Sequence, residues 1–301
     1  MAKRENWLAA GFIAPNAIGF AVFTLLPVGA ALLLSLFQWD VFHTPRFVGL
    51  GNFRNLLGWV NDDGEWRAGD PRFWQFLGNT FFFMLAIPLT MAASLVLAVV
   101  LNQKLPGRVF FRTIFFLPSI CLGVGVLLLW KFMYMPDIGM INRVLHSFGI
   151  NGPDWLSNYH WAKPAIMNVG IWASMGGTNM ILYLAGLQGI PPEQYEAAEI
   201  DGANQWQQFR HVTLPMLTPT TFFILITSII YGFQGEFDSA YVMTQGGPDG
   251  STTTLAYYIY SHAFEYFNMG YASAIAVVMF ALILIVTLIN WHFFGSKVHY
   301  V

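Results

Sequence analysis

The sequence predicts an integral membrane protein built only from helices, and its composition and charge support this fold class. Of the 301 residues, 56% are hydrophobic and only 10% are charged, whereas ordinary soluble domains carry about 25% charged residues. So little charge argues against a soluble enzyme, a disordered chain and a coiled coil. The formal net charge of −2 provides no basic surface for nucleic acid. The single cysteine, Cys121, excludes an intrachain disulfide.

Six apolar runs are long enough to cross a bilayer, at about 20 residues each. They cover residues 8–37, 76–101, 113–130, 164–187, 216–234 and 271–294. None contains Asp, Glu, Lys or Arg, and a charge at the bilayer centre costs about 2.5–3.5 kcal/mol. Backbone groups in lipid must be satisfied within the segment, so each run is predicted to be a transmembrane helix. The first run is too long for the apolar core of a signal peptide and is interpreted as a retained span.

The distribution of basic residues predicts that both chain termini are cytoplasmic. With the amino terminus inside, the inner segments contain seven lysines and arginines in 53 residues, against seven in 107 residues outside. Cytoplasmic loops of membrane proteins are enriched in these residues. No linker or internal repeat divides the sequence, so one domain over residues 1–301 is expected.

The inner loop at residues 188–215 is predicted to form a helix, a turn and a second helix. Pro191 and Pro192 suit the first turn of a helix, where a missing amide donor costs nothing. Gly202 permits the turn that ends this helix. A second helix is predicted from apolar residues at every third position, namely Trp206, Phe209 and Val212.

This loop resembles the cytoplasmic EAA loop of ABC-importer permeases. The resemblance rests on Glu196-Ala197-Ala198, on Gly202 and on Leu214-Pro215 at the family's spacing, although the family commonly has isoleucine where Val212 stands. Other segments resemble the carbohydrate (maltose-transporter) type, and specifically the first of its two permease subunits. They are residues 47–53, 79–80, 237–238, 241–248, 252–254 and 270–274.

The resemblance implies the six-helix ABC-importer permease fold with a cytoplasmic coupling helix, in the cytoplasmic (inner) membrane. It also implies three kinds of partner: a second permease subunit, two ATPase subunits and an extracytoplasmic solute-binding protein. ATP and Mg would be bound by the ATPase subunits, and no cofactor by this chain, in which no Walker-type loop is found. The residues expected to couple to the ATPase are Glu196, Ala197, Ala198, Asp201, Gly202 and Ala203.

Polar residues within or beside the spans are the candidates for a solute pathway. They are Trp172, Ser174, Gly176, Thr178, Asn179, Tyr231, Gln234 and Asp238. On a continuous helix, Trp172, Gly176 and Asn179 would share one face. Neutral amides, hydroxyls and aromatic rings suit a sugar. The alternative interpretation is that these small and polar residues serve packing between helices.

The predicted function is therefore that of a permease subunit, without a catalytic site, in an ATP-driven importer of a sugar or oligosaccharide by alternating access. An ion-coupled secondary transporter of a neutral solute is the main alternative, although it would normally bury charged residues in its spans. A membrane enzyme would need a nucleophile–base cluster or a metal set. The seven histidines show no metal-binding spacing. A structural scaffold would leave the 188–215 loop unexplained.

Overall fold

Helices account for most of the chain in the computed structural model, which describes residues 2–62, 65–103, 106–121 and 123–294. The helices of the first half are α1 (Ala2–Phe20), α2 (Leu26–Leu34), α3 (Gly51–Leu57), α4 (Pro71–Met84), α5 (Ala86–Asn102), α6 (Arg108–Cys121), α7 (Val124–Met133) and α8 (Met140–Ser147). The helices of the second half are α9 (Ala162–Met175), α10 (Thr178–Gln188), α11 (Pro192–Ile200), α12 (Gln205–Gln208), α13 (Leu214–Met216), α14 (Thr218–Gln234), α15 (Phe237–Ser239), α16 (Leu255–Tyr260) and α17 (Met269–Phe294).

Short π-helices and strands complete the described secondary structure. The π-helices are Ala21–Leu25, Phe209–Thr213, Ala240–Thr244 and Ser261–Glu265. Strand β1 (Phe37–Gln38) pairs antiparallel with β2 (Arg46–Phe47), and β3 (Trp59–Asp62) pairs antiparallel with β4 (Glu65–Ala68).

Three helical stretches in the described part of the chain are long and apolar enough to cross a bilayer. They are Gly11–Leu34, Pro71–Asn102 and Met269–Phe293. Two bent pairs would raise the number to five, and they are Arg108–Cys121 with Val124–Met133, and Gln205–Met216 with Thr218–Thr244. The prediction of a multi-span helical protein is confirmed, and the prediction of six continuous spans is confirmed only in part.

The predicted fourth span, residues 164–187, is interrupted at Gly176 and Gly177, which separate α9 from α10. Each glycine lowers helix stability by about 1 kcal/mol relative to alanine, so two in succession favour a break. The last carbonyls of a helix lack partners within it. At the end of α9, the Ser94 hydroxyl donates to the carbonyl of Met175 at 2.8 Å. Trp172 and Asn179 therefore lie on two different helices rather than on one face.

Contacts between residues divide the chain into two compact units, formed by residues 1–73 with 258–281 and by residues 74–257 with 282–301. The core of the second unit lies where α5, α10 and α14 meet. Its fully buried side chains include Ala98, Leu101, Met180, Tyr183, Leu217 and Ile224. The prediction of one domain over residues 1–301 stays a prediction.

Two polar side chains, the buried Asn52 and the half-buried Asp70, form hydrogen bonds that hold the first unit together. Asn52 on α3 donates to the carbonyls of Ser35 and Phe37, both at 2.9 Å. Asp70 accepts hydrogen bonds from the hydroxyls of Tyr258 at 2.8 Å and Tyr271 at 2.6 Å. The bonds of Asp70 join residues 188 and 201 positions apart in sequence, so they connect the two chain segments of this unit. Those of Asn52 span 17 and 15 positions and connect neighbouring parts of the first segment.

In the second unit, a loop at residues 246–255 is held by two buried side chains of α4. Asn79, which is 2% exposed, donates to the carbonyls of Gly250 and Thr253, both at 2.8 Å. The Thr80 hydroxyl accepts from the amide of Leu255 at 3.0 Å. Two segments that resemble the carbohydrate-type permeases, residues 79–80 and 252–254, thus contact each other directly.

We expect Asn79→Leu to lower the free energy of unfolding by about 2–4 kcal/mol, because it leaves the carbonyls of Gly250 and Thr253 unpaired, at about 1–3 kcal/mol for each buried group. The measurement is thermal unfolding of the purified protein. Gln75→Leu is the control, since Gln75 donates to the carbonyl of Asp249 at an exposed position. Equal destabilisation by both variants would contradict the expectation that the buried hydrogen bonds of Asn79 contribute more to stability than the exposed one of Gln75.

Candidate functional site

A cavity of about 770 Å³ lies in the second unit and is lined by residues between positions 83 and 239. Its volume is within the range of about 300–1,000 Å³ that is typical of small-molecule sites. Helices α5, α9, α10 and α14 supply most of its walls. Its polar lining residues include Thr90, Ser119, Ser174, Thr178, Asn179, Thr227, Ser228, Gln234, Glu236 and Asp238.

The structure brings six of the eight predicted pathway residues to this cavity. They are Ser174, Thr178, Asn179, Tyr231, Gln234 and Asp238. Trp172 is not among the lining residues, and its ring packs edge-on against Trp130 with centroids 5.3 Å apart. Gly176 is not among them either, since it lies against the backbone of Phe115. The contacts of Trp172 and Gly176 are those of packing, and a solute contact by either residue stays a prediction.

The break between α9 and α10 explains why polar groups reach the cavity. Gly177 precedes α10 with φ −82° and ψ −146°, and it lines the cavity together with Thr178 and Asn179. Asn179 lies 3.5 Å from the Ser228 hydroxyl on α14, as measured between Nδ2 and Oγ. This distance is at the limit for a hydrogen bond, so the amide remains able to bind a solute hydroxyl.

Glu236 is a lining residue that the sequence reasoning missed. Helix α14 ends at Gln234, and the backbone of Glu236 adopts the left-handed conformation with φ +60°. This turn places one carboxylate oxygen, Oε1, over Gly170 on α9, where a Cβ atom would overlap it. The other oxygen, Oε2, is buried without a hydrogen-bond partner among the described residues.

The loop between α10 and α14 forms the predicted helix, turn and second helix. Pro191 is the N-cap and Pro192 the first residue of α11, and Gly202 makes the turn with φ +77°. Asn204 and Gln207 form a capping box at the start of α12, with hydrogen bonds of 2.9 and 2.8 Å. These interactions satisfy backbone groups locally and give the loop a defined shape.

Most of the predicted coupling residues are accessible on this loop. Glu196, Ala197, Asp201 and Gly202 are exposed, whereas Ala198 and Ala203 are half-buried. Two large apolar side chains beside them are also exposed, Ile200 by 87% and Trp206 by 67%. Trp206 stacks on Phe209 with ring centroids 5.6 Å apart. An apolar surface of this kind next to an ordered helix is typical of a protein interface.

Comparison with known proteins identifies the class of protein. Residues 22–294 match the family described as "Binding-protein-dependent transport system inner membrane component". The chain is 38% identical over 303 residues to the probable ABC transporter permease protein YesP of Bacillus subtilis (strain 168), which covers 99% of this chain and 94% of that protein. It is 37% identical over 295 residues to the lactose transport system permease protein LacF of Rhizobium radiobacter, which covers 96% and 93% respectively.

A solved structure shares the fold. It belongs to a bacterial ABC transporter involved in the import of the acidic polysaccharide alginate. The match has a TM-score of 0.81 and 23% identity, and it covers 97% of this chain and 96% of that chain.

The chain belongs to the family of binding-protein-dependent transport system inner membrane components. It is a multi-pass permease subunit of an ABC importer with the ABC-importer permease fold. Membership of this family does not favour an ion-coupled secondary transporter.

Proposed function

We propose that this permease moves a sugar or oligosaccharide, and that the cavity of about 770 Å³ is part of its route. The cavity lining carries the proposal, because it combines hydroxyls and amides with aromatic side chains such as Phe83 and Tyr231. A sugar presents hydroxyl groups around its ring and an apolar ring face, and both find partners in such a lining. The lactose permease similarity points to the same class of solute.

Coupling to ATP hydrolysis is proposed to occur through α11 and the turn that follows it. The exposed Glu196 and Asp201 would supply polar contacts to an ATPase subunit, and Ala197 allows close approach of its surface. Ile200 and Trp206 would add buried apolar area at about 25 cal/mol per Å². Closure of the ATPase pair on ATP would then displace the loop and change which side of the membrane the cavity opens to.

The same proposal assigns the partners and the orientation. A second permease subunit, two ATPase subunits and an extracytoplasmic solute-binding protein would complete the transporter, with ATP and Mg held by the ATPase subunits alone. Both termini and the 188–215 loop would be cytoplasmic. The permease itself would have no catalytic role.

Reconstitution tests this function. The four kinds of subunit are assembled in proteoliposomes, and uptake is measured with and without ATP on the ATPase side. Solutes are first chosen by screening the solute-binding protein against neutral oligosaccharides, amino sugars, uronic acids, sugar phosphates, peptides and amino acids. ATP-dependent uptake of a sugar supports the proposal, whereas binding of peptides or amino acids alone would contradict the carbohydrate assignment.

We expect Asn179→Ala to raise the KM for uptake of the solute about two- to tenfold, because loss of one hydrogen bond removes about 0.5–1.5 kcal/mol. The measurement is ATP-dependent uptake by the reconstituted complex. Asn290→Ala is the control, since Asn290 on α17 bonds the carbonyl of Val286 and is absent from the described cavity lining. Unchanged uptake by an Asn179→Ala complex that assembles normally would exclude this residue from the route.

A further inference from the structure

The charged side chains in the described lining of the cavity are all acidic. Among its described lining residues, Glu236 and Asp238 are acidic, and none is lysine, arginine or histidine. Neither carboxylate forms an ion pair with a basic side chain in the described part of the chain. The carboxyl groups of the lining are therefore not balanced by a basic side chain among the described lining residues.

The position of Glu236 is set by its surroundings rather than left to a mobile surface chain. Its backbone is held at φ +60° after Gly235, a conformation that only a few per cent of residues other than glycine adopt. Its Oε1 lies over Gly170, where no side chain intervenes. The carboxylate is thus placed at the cavity wall by its backbone conformation and by its contact with α9.

The oxygen Oε2 of Glu236 lacks what a buried carboxylate oxygen requires. It is inaccessible and has no hydrogen-bond donor among the described residues. Buried polar atoms are nearly always hydrogen-bonded, and an unpaired one costs about as much as a lost hydrogen bond or more. A carboxylate that served only to brace Gly170 would be expected to have both oxygens satisfied within the protein. Because Oε2 is closed to a solute, a solute donor would reach the carboxylate at Oε1, which lies over Gly170 in the cavity wall.

We propose that Glu236 selects the solute by charge. This inference rests on the proposed function and narrows the class of sugar. Glu236 accepts a hydrogen bond from a hydroxyl or ammonium group of the solute, and it excludes sugars that present a carboxylate, phosphate or sulfate at this position. Asp238, which is exposed in the lining, strengthens the exclusion through its charge.

Electrostatics supports a large difference between neutral and anionic sugars. A solute anion about 4 Å from an ionised carboxylate would be repelled enough to weaken binding on the order of a thousandfold at an effective dielectric constant of about 20. A hydroxyl donor about 2.7 Å from a carboxylate oxygen gains a charge-assisted hydrogen bond instead, which is stronger than a bond between neutral groups. A single side chain thereby attracts one class of solute and repels its acidic analogue, and specificity often combines both effects.

The test compares matched solutes on the assembled complex. The permease pair with its ATPase subunits is placed in nanodiscs without the solute-binding protein, so that the selectivity of that protein does not interfere. Binding is followed by saturation-transfer difference NMR. The probes are the neutral or amino sugar that the solute-binding protein selects and the same sugar oxidised to its uronic acid. The variants are Glu236→Gln and, as an exposed acidic control absent from the described lining, Glu265→Gln.

The expected result is that the wild-type complex binds the neutral or amino sugar at least about thirtyfold more tightly than the uronic acid. Glu236→Gln should bring this ratio below about threefold, whereas Glu265→Gln should leave it unchanged. A cognate solute that is itself anionic, equal binding of both probes by the wild type, or an unaltered ratio in Glu236→Gln would each overturn the inference. A structural role alone would lower both affinities together and leave their ratio intact.

Failure of this inference is distinguishable from failure of the proposed function. ATP-dependent uptake of a sugar without discrimination by Glu236 overturns the charge selection and leaves the importer function standing. ATP-dependent uptake of a sugar without detectable binding of either probe also overturns the charge selection and leaves the importer function standing. Absence of ATP-dependent uptake of any sugar by the wild-type complex would contradict both the charge selection and the proposed function.

Discussion

Ala197→Arg is expected to reduce ATP-driven uptake at least about a hundredfold while leaving the chain folded. Ala197 is exposed on α11, so an arginine side chain finds room in the isolated permease. At a close-packed interface the same side chain would separate the two surfaces and bury a charge without a partner, and either effect costs several kcal/mol. About 2.7 kcal/mol corresponds to a hundredfold loss.

The measurement is ATP-dependent uptake in proteoliposomes, together with co-purification of the ATPase subunits. Asn151→Arg is the matched control, because Asn151 is also exposed but lies between α8 and α9, in a segment predicted to be outside the membrane. The control should retain both uptake and ATPase binding. Normal uptake by Ala197→Arg would show that α11 is not the coupling surface, and the proposed mechanism would then fail.

Gly176→Ala is expected to destabilise the protein by about 3 kcal/mol, at the upper end of the usual cost of overpacking. A Cβ atom at this position would overlap the carbonyl oxygen of Phe115. Because that oxygen belongs to the backbone, α6 or α9 would have to move to relieve the contact. Thermal unfolding of the purified protein measures the effect.

Gly125→Ala is the matched control, since Gly125 on α7 has no atom within 4 Å of an added Cβ. Alanine is favoured over glycine within a helix by about 1 kcal/mol, so this variant should be neutral or more stable. If Gly176→Ala instead kept full stability and raised only the KM for uptake, the hypothesis that Gly176 contacts solute would be supported over packing.

Local chemistry predicted the 188–215 loop well. Pro191, Pro192 and Gly202 restrict the backbone whatever surrounds them, and the structure places them at the start of α11 and at the turn. The last span was predicted for similar reasons, because the apolar run at 271–294 has no proline or glycine to interrupt it, and α17 extends over Met269–Phe294.

Tertiary contacts decided the features that the sequence did not predict. Apolarity alone could not show that Gly176 and Gly177 would break the fourth span, since glycine is also frequent in continuous membrane helices. Glu236 lies two residues beyond the predicted span 216–234, in a segment predicted to be outside the membrane, and it is therefore not among the predicted pathway residues. Its left-handed backbone and its contact with Gly170 depend on residues distant in sequence. A carboxylate between the two predicted pathway residues Gln234 and Asp238 was the available signal.

The Tyr195 hydroxyl on α11 and the Thr213 hydroxyl at the end of the π-helix Phe209–Thr213 form a hydrogen bond of 2.9 Å. This bond joins the first and second helical parts of the 188–215 loop across 18 residues. A helix–turn–helix that is cross-linked in this way changes its internal geometry less under force than one joined only at its turn. In the proposed coupling mechanism, a displacement of α11 would therefore be transmitted to the start of α14. The opening of the cavity would then follow closure of the ATPase pair closely in time.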